Sequence, residues 1–247
     1  LLTARWLSQR GARGLVLASR SGALAKGTAA EWSRVQKSSV PTTLEKCDTA
    51  EVGLVRRLLA VAQSREHAGV WHAAGVLADG VLLRQTAERL TRVYAPKAHG
   101  AWALHCAFSR AVVRTHALFS SVAALLGGAG QANYSAANAC LDALGSYRRT
   151  CAQVATSMQW GAWAEVGMAS RGAAAERMAA MEAASGFGRI GLAQGLGALH
   201  AAVLPQAASL VGVVPVEWGR MLRDGAVPAF LSSMVPPAVA KQGSVAT

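Results

Sequence analysis

Short apolar runs and longer stretches of helical spacing alternate along this chain from its first residues, and that alternation limits the fold more than any other feature. The runs 14–19, 42–47, 69–74, 112–120, 154–160 and 210–215 are strand-length and bounded by breakers. Between them, 1–12, 28–37, 50–65, 87–109 and 131–150 read as helices, with a helical pair at about 174–203. In 50–65, for example, Val52, Val55, Leu58, Leu59 and Ala62 recur at helical spacing. Strands separated by helices cannot pair as hairpins. They make a parallel sheet covered on both faces, so the expected fold class is α/β, a Rossmann-like doubly wound sheet. At 247 residues, one domain with a full core is the default.

Apolar residues make up 52% of the chain, yet no run reaches the roughly 18 residues that span a bilayer. The formal charge of +12 invites a nucleic-acid reading. The basic residues are scattered, as in Arg56, Arg57, Arg84, Arg89, Arg92, Arg148 and Arg149, with no Lys/Arg block and no interleaved aromatics. An acidic cofactor or carrier suits this charge better. Cys47, Cys106, Cys140 and Cys151 form no CxxC pair and no metal spacing, so reduced thiols in a reducing compartment are expected, with no metal site. A cytoplasmic setting follows, a plastid being the alternative. The Pro236-Pro237 pair marks the expected domain edge, dividing a catalytic domain at 1–235 from a linker or tail at 236–247.

In an open parallel sheet, ligands bind at the carboxyl ends of the strands. Those ends carry Ser19, Arg20 and Ser21; Cys47 and Asp48; His72, Ala73, Ala74 and Gly75; Ser120 and Ser121; and Trp160 and Gly161. The set suits a dinucleotide. An Arg after the second strand of such a fold accommodates a 2′-phosphate, where an acidic residue would bond the free hydroxyl. Arg20 therefore favours NADPH. Asp48 can bond the adenine amino group or cap the next helix. The small residues at 73–75 let a flat ring approach the backbone. The glycine-rich turn that would hold a pyrophosphate is not seen, because residues 1–12 already read as the helix that follows it. The chain is thus expected to lack the first strand and that turn, and to be a piece of something longer.

Ser121 ends a strand, while Tyr134 and Asn138 lie four apart on one face of a helix. A hydroxyl, a phenol and an amide can thus meet on one substrate oxygen. A phenol titrates near 10, so Tyr134 needs a nearby cation to act as an acid at neutral pH, and Lys97 on the preceding helix can supply it. Ser121 would polarise a carbonyl, and Asn138 would bridge Lys97, water and the helix backbone.

These residues sit in segments that together resemble the ketoreductase domain of modular type I polyketide synthases, in the short-chain dehydrogenase/reductase superfamily. The segments are 15–22 (LVLASRSG), Cys47-Asp48, 72–80 (HAAGVLADG), 95–102 (APKAHGAW), 118–142 and 159–168 (QWGAWAEVGM). Most of the superfamily keeps its lysine four residues after the tyrosine. This chain has Asn138 there and Lys97 in the preceding helix, the swapped arrangement of polyketide ketoreductases. The resemblance implies NADPH-dependent reduction of a β-ketoacyl thioester to a β-hydroxyacyl thioester, on the phosphopantetheine arm of an acyl carrier protein and beside other synthase domains. It implies catalytic roles for Tyr134, Ser121, Lys97 and Asn138. It also implies that residues 160–168, ending at Met168, line the nicotinamide side and that 174–190 form a lid. A noncatalytic structural domain of the same fold, or a fatty-acid-synthase-type reductase, are the alternatives.

The resemblance extends to stereocontrol. One class of these domains carries Leu-x-Asp in the loop after the His-Ala-Ala-Gly strand, and the other carries Trp eight residues before the tyrosine. Leu77 and Asp79 are present, and Leu126 replaces the Trp. Both point to the class (B-type) that makes the 3R, D-configured alcohol. For the cofactor, Arg20→Glu turns a charge-assisted contact into a repulsion. It is expected to weaken NADPH binding far more than NADH binding; equal losses in a titration of both would remove Arg20 as the phosphate reader.

Overall fold

The computed structural model describes residues 1–63, 68–109, 111–165, 186–223 and 227–235. In chain order the elements are α1 (Leu2–Gln9), β1 (Leu15–Ser19), α2 (Ala29–Gln36), β2 (Thr42–Lys46), α3 (Val52–Gln63), β3 (Ala68–His72), α4 (Ala87–Tyr94), α5 (Gly100–Ala107) and β4 (Val113–Ser121). Then follow α6 (Ala123–Leu126), α7 (Ala132–Thr150), β5 (Thr156–Trp160), α8 (Leu192–Ala202), β6 (Leu210–Val213) and α9 (Trp218–Met221).

The sheet is in two parts among the described residues. β1 and β2 pair in parallel, and β3, β4, β5 and β6 form a second sheet in that order, with β3 and β4 parallel. β1 and β3 are not hydrogen-bonded to each other. This is the α/β parallel architecture expected from the alternation of runs. β3 stops at His72 rather than running to Ala74. Of the helical pair expected at 174–203, residues 174–185 lie outside the described residues, as do 236–247.

The chain divides into two compact units, 1–159 with 202–211 and 160–201 with 212–247. In the first, α1, β1 and α2 close over Ala4, Leu15 and Val35. An ion pair between Arg5 of α1 and Glu31 of α2 adds to that contact. Cys47, Val55, Val70, Ala103, Leu104 and Phe108 form a second cluster under α3 and α5. Ala101, Leu118, Leu141 and Leu144 form a third, which fastens α5 and α7 to β4. Leu118 and Leu141 are wholly buried; each such leucine contributes about 1.5–3 kcal/mol of transfer free energy. In the second unit Trp160 stacks at a tilt on Trp163, with ring centroids 4.9 Å apart. Short bridges join Trp163 to Ile190 and Phe187 to Val216.

The long helix expected at 87–109 is interrupted. α4 is capped by Thr86, whose Oγ1 accepts the Arg89 N–H at 3.3 Å, and gives way at Ala95–His99 to one widened π-type turn before α5. Pro96 explains the change: it has no N–H for the α-helical bond, and its ring crowds the preceding turn. Helical side-chain spacing continues through the turn, and Lys97 lies at its centre.

Candidate active site

The four residues expected to converge do so within the first unit. β4 delivers Ser121 at its carboxyl end. Its Oγ accepts the Ala123 N–H at 3.2 Å, which leaves the hydroxyl hydrogen free to donate. α7 presents Tyr134 and, one turn later, Asn138, both buried. Ser120, beside Ser121, donates from Oγ to the Asn138 carbonyl at 3.2 Å and ties β4 to that turn of α7.

Lys97 is 3% exposed. Its ammonium donates to the Phe119 carbonyl at 2.9 Å and lies 5.4 Å from the centroid of the Tyr134 ring. Gly75 makes the space: a Cβ there would stand 2.8 Å from Lys97 Cε and 3.3 Å from Nζ. The glycine at the end of the His-Ala-Ala-Gly stretch thus clears room for the lysine, where room for a flat ring was expected. Asn138 does not reach Lys97. Its Nδ2 donates to the Tyr134 carbonyl at 2.8 Å. Its Oδ1 has no hydrogen-bond partner among the described residues.

Burial pushes the Lys97 ammonium down to about 8, against the upward pull of the Asp142 carboxylate. Burial also pushes the Tyr134 phenol up; hydrogen bonding with Asn138 and Ser121 pulls it down, and the Asp79 charge pushes it up. Lys97 faces the ring rather than the phenol oxygen, so desolvation prevails over the expected acidification.

The strand-end residues divide. Ser19, Arg20 and Ser21 are exposed at the end of β1, with the two serine hydroxyls 3.4 Å apart. Cys47 departs from the expectation of a ligand contact. Its thiol is in the core, pushed up by burial, and its N–H is spent on the Ser19 carbonyl at 2.9 Å. Asp48 accepts the Ala50 N–H at 3.0 Å in the turn ahead of α3, two residues short of the helix, so its carboxylate closes a turn rather than caps the helix. His72 also departs from a direct cofactor role. Its buried ring lies 3.2 Å, through Nε2, from the Lys97 carbonyl. A carbonyl only accepts, so Nε2 carries the hydrogen. Ala73 is exposed, while Ala74 is half-buried. Trp160 and Gly161 belong to the second unit; a Cβ on Gly161 would stand 2.8 Å from Val214 Cγ2, so its smallness serves packing against Val214. Met168 lies outside the described residues.

The loop after β3 is stapled to the segment before Tyr134. Asn133 Nδ2 donates to the Ala78 carbonyl at 2.9 Å, and Asn133 Oδ1 accepts the Tyr134 N–H at 2.7 Å. The Gly80 N–H donates to the Gly130 carbonyl at 2.8 Å, and Arg89 Nη1 to the Asp79 carbonyl at 3.0 Å. Gln131 reaches Asp79 Oδ2 at 3.4 Å. Leu77 and Ala78 pack against the cluster of Val93, Ala123, Tyr134 and Ala137, and Leu126 ends α6 half-buried. Asn133 was not singled out in the sequence, and Ser120 was named only as a strand end beside Ser121. The available signal was an asparagine at the start of the tyrosine helix, where such residues bond backbone N–H groups.

A family model described as the KR domain matches residues 1–165. Polyketide synthase GfsB of Streptomyces halstedii is 38% identical over 251 residues, covering 100% of this chain and 4% of the synthase. GfsA of the same organism is 41% identical over 232 residues, covering 91% of this chain and 3% of the synthase. A solved A1-type ketoreductase has a TM-score of 0.86 at 32% identity, with 97% of this chain and 50% of that one covered. The chain therefore spans half the length of that solved ketoreductase and only 3–4% of the two synthases.

The site carries its own acid sensitivity. Burial, aided by the Lys97 charge, pushes the His72 imidazole from 6.5 down to about 4. Unfolded His72 takes a proton near 6.5, whereas folded His72 stays neutral until about 4. Its stabilising contribution is therefore complete above 6.5 and is lost as pH falls through that window, about 3 kcal/mol in full. His72→Gln should flatten this part of a plot of urea midpoint against pH; an unchanged slope would show that His72 does not titrate this way.

Proposed function

The chain belongs to the ketoreductase domain family of modular polyketide synthases, within the short-chain dehydrogenase/reductase superfamily, and from that premise we propose that it reduces a β-ketoacyl thioester to a β-hydroxyacyl thioester with NADPH. The substrate is carried on the phosphopantetheine arm of an acyl carrier protein, and neighbouring synthase domains supply and remove it. The observation that supports this most is the meeting of the Tyr134 phenol, the Ser121 hydroxyl and the Asn138 amide beside one buried ammonium.

The chain's residues fit the cofactor. Arg20 is exposed between two serines at the end of β1, free to meet a 2′-phosphate. Lys97 and the unpartnered Asn138 Oδ1 offer a donor and an acceptor beside Tyr134. Bound NADPH supplies the hydride that reaches the carbonyl carbon.

The remaining work falls to the side chains. Ser121 donates its free hydroxyl hydrogen to the ketone oxygen and polarises the carbonyl. Tyr134 hands its phenolic proton to the same oxygen as charge develops there. The Lys97 ammonium over the ring face lowers the cost of the phenolate that results. Asn138 holds the turn of α7 that aims the phenol, through its bond to the Tyr134 carbonyl. No helix among the described residues is long and apolar enough to cross a membrane. The relatives are bacterial, which favours the cytoplasm over a plastid.

Tyr134→Phe keeps the ring and removes the proton donor. In the intact synthase it should cut reduction of a β-ketoacyl thioester by at least ~100-fold, with NADPH affinity retained; full activity would take Tyr134 out of the mechanism. For stereochemistry, we assign the 3R product. Support comes from Leu77 and Asp79, in a loop pinned to the residue just before Tyr134, and from Leu126 where a Trp would crowd the other entry. Chiral chromatography of the product should show the 3R alcohol in excess, and a predominantly 3S alcohol would overturn the assignment.

A further inference from the structure

Three consecutive apolar residues stand in solvent just beyond Asp79. Val81, Leu82 and Leu83 are 59%, 76% and 98% exposed. A single exposed leucine is ordinary, but a run of three is unfavourable unless something covers it. The run is built, not slack. Leu82–Arg84 form one turn of 3-10 helix, closed by the Arg84 N–H to the Val81 carbonyl at 2.8 Å and the Gln85 N–H to the Leu82 carbonyl at 3.1 Å. Gln85 Nε2 donates to the Gly80 carbonyl at 2.7 Å. A Cβ on Gly80 would collide with Arg89 Nη1, so the base of the turn is tightly packed while its apolar side chains stay out of the core.

The turn is also tied to the site. The Gly80 N–H bonds the Gly130 carbonyl, Arg89 bonds the Asp79 carbonyl, and Asn133 links Ala78 to the N–H of Tyr134. One short loop therefore has Tyr134 at one end and the exposed leucines at the other. The charge around them is one-sided. Residues 81–94 carry Arg84, Arg89 and Arg92, all exposed, against Glu88 alone. An apolar point rimmed by cations complements a surface that offers an apolar side chain among carboxylates. A second copy of this face would meet the first with the same cations, which disfavours self-association there.

We propose that the turn Leu82–Arg84 is the docking point of the acyl carrier. An acidic face of the carrier seats an apolar side chain on Leu82 and Leu83, with Arg84 and Arg89 against its carboxylates. This rests on the reduction proposed above and adds the place where the partner sits. A carrier docked there starts its arm beside the Asp79 loop, which leads to Tyr134. The local cations also steer an acidic partner to this face as it diffuses in.

The test uses the intact synthase with its own carrier left without pantetheine. The β-ketoacyl group is supplied in two forms, on a separately added carrier protein and as a short free thioester. Leu83→Asp and Arg84→Glu should each raise KM for the carrier-bound form about 10-fold and leave kcat/KM for the free thioester within about twofold. Arg84→Glu should also flatten the dependence of the carrier-bound KM on salt. An unchanged carrier-bound KM in both variants overturns the proposal, and so does an equal loss on both substrates. A wild type that reduces neither form would defeat the proposed reduction alone. Docking is then read by titrating the synthase with the carrier free of cargo: Leu83→Asp should weaken binding about 10-fold, and equal binding overturns the docking point.

Discussion

Burying one ammonium group sets the terms for most of the site. Lys97 reaches its place because Pro96 breaks the α-helical bonding pattern and opens a π-type turn. It stays there because His72 bonds the carbonyl of that turn, Phe119 receives the ammonium, and Gly75 leaves the space that any side chain would fill. β3, β4, the helix bend and the loop after β3 each supply one part. Desolvation brings the lysine within reach of losing its proton near neutral pH, which makes its surroundings a matter of charge as well as shape.

The second organising contact is Asn133. One side chain bonds the backbone on two sides: its amide nitrogen holds Ala78, and its amide oxygen holds the N–H of Tyr134. The loop thought to guide the incoming acyl arm and the residue thought to protonate the ketone are therefore fixed to each other through a single buried amide. The Gly80–Gly130 bond repeats the connection with backbone alone. Two hydrogen bonds of one side chain and one backbone bond thus set the loop's position relative to Tyr134.

Much of this was legible in the chain itself, for identifiable reasons. The alternation of strand-length runs with helical spacing gave the α/β class, since period is the strongest local signal. The convergence of Ser121, Lys97, Tyr134 and Asn138 followed from one strand end and one helix face, and the family resemblance pointed to the same residues. The side-chain directions of Cys47 and His72 were not legible, for a shared reason. The rule that ligands gather at strand ends locates a backbone, not a side-chain direction, and both side chains turn inward, to the core and to the Lys97 turn. The π-type turn was hidden because apolar spacing runs unbroken through Ala95–His99, with only Pro96 to mark it. The bonds of Ser120, Asn133 and Asp142 could not be read because each joins a partner distant in sequence, which spacing does not reveal.

The swapped lysine carries a physical consequence that the foursome alone does not show. A lysine one turn after the tyrosine would share its helix, and that helix would fix both groups together. Here the cation comes from a separate bent helix, so its position and its charge must be secured independently of Tyr134. The structure divides that labour. β3 and β4 fix position, through His72 and Phe119. The tyrosine helix is itself held to β5 two turns after Tyr134, where Ser157 and Gln159 bond the Asp142 carboxylate. Moving one residue between helices thus makes the bend at Pro96, rather than the tyrosine helix, responsible for where the cation stands.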